Sequence, residues 1–215
     1  MLPFSYEQFV ELFAVYNNAI WPTQLVAYAL AIVMVVALAK GASQLVGAGL
    51  ALMWLWTGIG YHWLHFTSIN KAAWAFGALF VLQGVLLLWM SVASQRLKFG
   101  TGEGATGVLG WAFIGYAAII YPLVGVLTGH SYPQMPMFGV TPCPVTIFTF
   151  GLLLLARPTV PWWVLVVPIV WSLIGGSAAF LLRVPQDWFL LFSGLAVIPI
   201  VLRRFDLHHR LPVRF

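Results

Sequence analysis

Charge is what this chain has least of. Ten Lys and Arg and five Asp and Glu are spread over 215 residues, 7% in all, against about 25% in ordinary soluble domains. So few charges cannot cover a 23.8 kDa globule that is 62% hydrophobic with mean hydropathy +0.96, and lipid rather than water must solvate most of the surface. A soluble enzyme and a disordered tail are excluded. Cysteine is nearly absent too: Cys143 stands alone, which excludes an internal disulfide, a thiol pair and a multi-cysteine zinc site. No basic run exceeds Arg203-Arg204, so the net charge of +5 and the pI near 9.7 do not point to nucleic acid. The N-terminus has no basic residue ahead of an apolar run and no early small-residue cleavage motif, which argues against a secretory signal.

What is there is a series of long apolar segments divided by short breaks. Membrane helices are expected at about 20–40, 45–66, 72–94, 107–128, 140–156, 161–182 and 186–203. Most reach the ~20 residues that ~30 Å of hydrocarbon requires. The fold class is therefore all-α and polytopic, one integral membrane domain over 1–215. It comprises an interfacial helix at 1–18, a seven-helix bundle at 20–203 and a basic cytoplasmic tail at 204–215. In the first of these, Phe9, Leu12, Phe13 and Tyr16 share one side while Glu7, Gln8 and Glu11 face elsewhere, with Ser5 placed to cap. That is the pattern of a helix lying in the membrane surface.

The fifth segment is short, with only 14 residues from Cys143 to Ala156, and re-entry competes with crossing. Charge arbitrates. Seven crossings with the N-terminus outside put Lys40, Arg96, Lys98, Arg157, Arg203, Arg204, Arg210 and Arg214 inside, leaving Lys71 and Arg183 outside. Six crossings reverse that positive-inside bias. Seven crossings are favoured, and the basic tail becomes an orientation signal touching anionic lipid. Two prolines flank Cys143, so Thr141-Pro-Cys-Pro is expected to enter as extended chain before a short helix.

The opening Met1-Leu-Pro-Phe-Ser, the stretch Tyr16-Asn-Asn-Ala-Ile-Trp-Pro22, and Thr141-Pro-Cys-Pro-Val-Thr-Ile-Phe-Thr-Phe-Gly151 resemble a family of small bacterial polytopic membrane proteins of unknown function. The likeness covers most of the chain. It implies a bacterial inner-membrane protein and carries no activity, substrate or cofactor.

Function must come from polar groups placed where lipid makes them costly. No Asp or Glu is expected deep in any segment, so a proton relay or carboxylate-coupled pump finds little support. Trp56, Gln83, Tyr116 and Trp171 are the interior candidates for lining a site, with hydrogen bonding between helices as the plainer explanation. Gly58, Gly60, Gly115, Pro122, Pro168, Gly175, Gly176 and Pro199 mark where helices weaken, as at transporter sites or at simple close-packing positions.

The more pointed constellation lies at the outer end. His62 and His65 close the second segment, His130 closes the fourth and Cys143 opens the fifth, with Tyr61 and Tyr121 nearby. Three apart, the first two histidines share a helix face. Met135 and Met137 add thioethers, so His62, His65, His130, Met135, Met137 and Cys143 form a donor set suited to a soft ion such as Cu(I). Alternatively these imidazoles only hydrogen-bond to headgroups and carbonyls. Cys143, at a helix N-terminus, is a nucleophile candidate if a histidine serves as its base.

Three functional classes stay open. One is a solute-binding or permeation protein opening to the outer face. The second is a structural subunit of a larger membrane complex, or of an assembly of its own copies. The third is a metal-handling protein or enzyme using the outer His and Cys cluster.

Overall fold

The computed structural model describes residues 3–157 and 160–210, with side chains described to Pro199. Residues 211–215 of the basic tail and Pro158 of the fifth break lie outside the described residues.

Helix α1 (Tyr6–Ala19) opens on a capping box: the Gln8 amide donates to Ser5 Oγ at 3.3 Å, and the Ser5 amide donates to Gln8 Oε1 at 2.8 Å. Two otherwise orphaned donors are satisfied at once. Its apolar side turns onto the bundle, where Leu12, Phe13 and Tyr16 are buried against Tyr61, Phe66 and Val140. The chain then bends by 79° into α2 (Thr23–Ala39).

Helix α3 (Ser43–Trp56) runs into a π-helical turn at Thr57–Trp63, and α4 (Ala73–Leu88) into another at Trp89–Ala93. A third π turn, Tyr116–Ile120, joins α5 (Gly104–Gly115) to α6 (Tyr121–Leu127). Its cause is readable. Pro122 has no N–H to offer the carbonyl four residues back, and that carbonyl, Ala118, accepts instead from the Tyr28 hydroxyl at 3.0 Å. The π turn absorbs the missing bond without ending the helix.

At the centre stands α7 (Pro142–Leu154), every residue of which is buried. Thr141 is extended, at φ −123° and ψ 154°, and the helix starts at Pro142. Only Thr141 follows the expected extended entry; Pro142, Cys143 and Pro144 already form the first turn. The physical reason is that first-turn N–H groups have no intrahelical partner, so prolines there cost little. Thirteen residues give a rod of about 20 Å, wrapped by α3, α5, α8 (Val166–Leu181) and α9 (Trp188–Arg210). Close approach is purchased with glycine: a Cβ on Gly151 would stand 2.8 Å from the Gly110 carbonyl oxygen, and one on Gly110 would stand 2.9 Å from that of Gly151.

The connections gather at two opposite ends. At one, β1 (Lys98–Phe99) pairs antiparallel with β2 (Ala156–Arg157), Lys98 opposite Arg157. Ser43 Oγ accepts there from the Phe99 amide at 2.7 Å, and Arg157 meets Glu103 at 2.7 Å. At the other end, Asn17 Nδ2 donates to the carbonyls of Pro133 and Met135 at 2.7 and 2.8 Å. The Tyr16 hydroxyl donates there to Val140 at 2.6 Å. Helix α1 thereby closes over the 128–141 loop.

Each expected apolar segment is helical, but the seven do not share membrane length. Among the described residues, three helical runs are long and apolar enough to cross: Ala73–Ala93, Gly104–Leu127 and Trp162–Leu181. The bent α1 and α2 pair would make a fourth if counted as one. Helix α9 corrects two boundaries. It begins at Trp188 rather than 186, and its backbone stays helical to Arg210 instead of ending at 203.

Candidate ligand cavity

A cavity of about 200 Å³ opens at the α1 end of the bundle. Phe4, Phe9 and Phe13 wall it on the α1 side, and Tyr61, Phe66, Phe76 and Trp171 on the bundle side. These are aromatic faces from four separate stretches of chain. Their edge-to-face pairings, such as Phe76 with Trp171 at 5.4 Å between ring centroids, hold the walls in the geometry that aromatic quadrupoles favour. A cavity of roughly 150 Å³ accepts benzene, so there is room for one aromatic ring with a short side chain.

Into this apolar enclosure the 182–187 connection delivers Asp187. Pro185 starts a 3-10 turn at Pro185–Asp187, and the Tyr116 hydroxyl anchors it by donating to the Gln186 carbonyl at 2.9 Å. Asp187 is 5% exposed. The Tyr121 hydroxyl donates to one carboxyl oxygen, and the Cys143 thiol is a second hydrogen-bond partner. Burial pushes the carboxyl up from its ordinary range to about 7, with the bonds from Tyr121 and Cys143 opposing that rise. Desolvation wins because, among the described residues, no cation stands beside it.

Trp171, 7% exposed, has its indole N–H turned toward the Cys143 sulfur and, among the described residues, without an oxygen or nitrogen acceptor. Gly175 makes that approach feasible, since a Cβ there would lie 3.3 Å from Trp171 Nε1 and 3.5 Å from Cys143 Sγ. Behind Trp171 sits His62, fully buried, with neither ring nitrogen hydrogen-bonded among the described residues. Its ring packs against Phe80 at 4.7 Å and Trp171 at 5.1 Å between centroids.

The expected soft-metal set is not assembled. His62, His65, His130 and Cys143 share the α1 end, but each imidazole is engaged separately. His65 Nδ1 lies 2.7 Å from the Gly60 carbonyl, and His130 Nε2 lies 3.0 Å from the Tyr6 hydroxyl. Burial lowers the His130 pKa. Among the described residues, no group of three or more His, Cys, Asp or Glu is placed to hold a metal ion. The physical reason is the π turn. It ends at Trp63, and His65 follows with φ −124° and ψ −53° outside the helix, so a spacing of three no longer puts His62 and His65 on one face. Met135 is buried beside Gly125, and Met137 packs with the α1 cluster. Nor does a histidine partner the Cys143 thiol; its hydrogen-bond partners are Asp187 and Trp171.

Of the interior candidates, Trp171 lines the cavity and Tyr116 holds the turn that carries Asp187. Trp56 donates to the Tyr16 hydroxyl at 2.9 Å. Gln83 Nε2 donates to the Val164 carbonyl at 3.0 Å while its Oε1 has no partner among the described residues. Asp187 is the residue that pattern analysis missed. It is buried in the turn ahead of α9 rather than deep in a helix, and the available signal was an acid two residues after a proline in a chain with five acids. Gln186, fully buried with both amide atoms unpartnered among the described residues, was missed with it.

The family of unknown function DUF6064 matches residues 6–210. The chain belongs to that family. No curated protein and no solved structure matches it, so the DUF6064 cavity is characterised by its own geometry.

Proposed function

We propose that this DUF6064 protein crosses a bacterial inner membrane seven times, N-terminus outside, and binds a small, mostly apolar solute as a solute-binding or permeation protein. The alternation of connections between two ends supports the topology. Lys98 and Arg157 pair at one end, whereas α1, the 128–141 loop and Asp187 meet at the other. A fully buried α7 of 13 residues crosses by being enclosed in protein, where a short helix need not match the hydrocarbon. On this reading the basic tail faces the cytoplasm and touches anionic lipid.

The observation that carries the function is the cavity: an aromatic enclosure with one buried carboxyl is the common form of a small-molecule site. Ala178 lines it, and Ala178→Phe fills it. Titration of 2-phenylethanol into the full chain in zwitterionic nanodiscs, followed by tryptophan fluorescence, gives a saturable change that Ala178→Phe abolishes. An unsaturable response identical in both proteins and in empty nanodiscs refutes solute binding here.

A further inference from the structure

Resting on the cavity just assigned, we infer that its solute is a lipophilic amine bound as the ammonium ion, the nitrogen facing the Asp187 carboxyl and the hydrocarbon part held among the aromatic rings. Charge complementarity selects this class. Among the described residues, Asp187 is the sole carboxylate on a wall that carries no Lys, Arg or His, so an anion would meet a carboxyl and no counter-charge. A purely apolar ligand would leave that carboxyl, when ionised, desolvated and without a counter-charge, a costly arrangement. An ammonium ion gains twice. It pairs with Asp187, and it faces rings whose negative quadrupole faces attract a cation within about 6 Å.

The carboxyl is prepared for this task. Tyr121 and Cys143 fix it in place as hydrogen-bond donors, and neither brings a positive charge that a ligand would have to displace. A second feature points to the same ligand region independently. The Trp171 N–H, more than nine-tenths buried and turned to the weak acceptor Cys143 Sγ with no oxygen or nitrogen acceptor among the described residues, belongs to the wall, so a hydroxyl or carbonyl oxygen on the solute can replace that sulfur as its acceptor. The volume of about 200 Å³ suits an arylalkylamine better than a long-chain lipid amine.

The test uses the full chain in zwitterionic nanodiscs and three probes of similar size: 2-phenylethylamine, 2-phenylethanol and 3-phenylpropionate, each corrected for binding to empty nanodiscs. The amine is expected to bind at least about ten-fold more tightly than the alcohol, the scale of a desolvated cation–π or ion-pair contact. The acid is expected to bind most weakly. Asp187→Asn removes the preference for amine while leaving the alcohol's affinity within about two-fold. Should that variant fail to fold, Phe76→Leu weakens the amine selectively through loss of a ring face. Equal affinity for amine and alcohol overturns the ammonium assignment and leaves the cavity as a neutral solute site, and a preference for the acid overturns it in favour of an anion. Failure of all three probes to bind overturns the solute-binding reading as well.

Discussion

The Tyr121 hydroxyl donates to the Asp187 carboxyl across 66 positions of sequence, tying the start of α6 to the turn before α9. Folding raises the Asp187 pKa from an ordinary value near 3.8 to about 7. Between those values the folded chain holds more protons than the unfolded one, so this carboxyl's contribution to stability falls as pH rises from about 4 to about 7. Replacing it with the neutral isostere Asp187→Asn removes that slope. Thermal unfolding in detergent at about pH 5 and about pH 8 should therefore show the variant gaining on the wild type as pH rises. Parallel losses in both proteins would place the titration elsewhere.

Tyr121→Phe takes away the hydroxyl and leaves the buried carboxyl with one donor fewer. The expected cost is about 1–3 kcal/mol, read as a lower unfolding temperature. It should be larger at about pH 8 than at about pH 5, because the ionised carboxyl has more to lose. An unchanged unfolding temperature at both values would mean that the bond contributes nothing net.

His62 makes a different kind of prediction. With both ring nitrogens unpartnered among the described residues and aromatic neighbours on several sides, its polar atoms are a cost that packing alone does not require. His62→Phe conserves a ring in the same space, and stability should hold or rise by about 1 kcal/mol. His62→Ala opens a void and should lower it by about 3 kcal/mol. If Phe proves as damaging as Ala, the imidazole has a polar partner that the packed rings do not reveal.

How much of this was legible beforehand differs between fold and site. The helical segments follow from apolar runs and their Gly, Pro and charged breaks. Ser5 and Pro142 act at helix starts for reasons that are local in the chain. The 142–154 helix could be read as short, but not as the buried axis of the molecule, because burial on all sides depends on which helices surround it. The site was harder for the same reason. Asp187 falls at the very start of the expected 186–203 segment, and nothing local says that the 182–187 connection folds inward onto Tyr121 and Cys143. His62 and His65 misled through a sound rule applied across a π turn, whose extra residue is invisible in hydropathy.

The contact between α5 and α7 makes a packing prediction. Gly110 and Gly151 bring their backbones together so closely that a Cβ on either would crowd the other's carbonyl oxygen at 2.9 and 2.8 Å. Backbone cannot retreat as a flexible side chain can. Gly110→Ala and Gly151→Ala should each cost about 1–3 kcal/mol. Because both push the same two helices apart, the double variant should lose less than the sum of the two. Strict additivity in unfolding measurements would show that the helices do not meet there.

The last prediction concerns the wall that α1 supplies. The Tyr16 hydroxyl accepts from Trp56 Nε1 at 2.9 Å and donates to the Val140 carbonyl at 2.6 Å, so one buried oxygen joins α1, α3 and the 128–141 loop. Tyr16→Phe keeps the ring and removes only that oxygen, leaving an indole N–H and a carbonyl unpaired at a cost of about 2 kcal/mol. Because the lost bonds belong to α1, the effect should be regional. Hydrogen exchange should accelerate in α1 and the 128–141 loop while α7, buried throughout, keeps its protection. Since Phe4, Phe9 and Phe13 wall the cavity from the α1 side, a loosened α1 should also release a bound probe faster without altering preference among probes, which Asp187 sets. Uniform acceleration across all helices would mean instead that Tyr16 supports the whole bundle, and that α1 does not move as a separate cover.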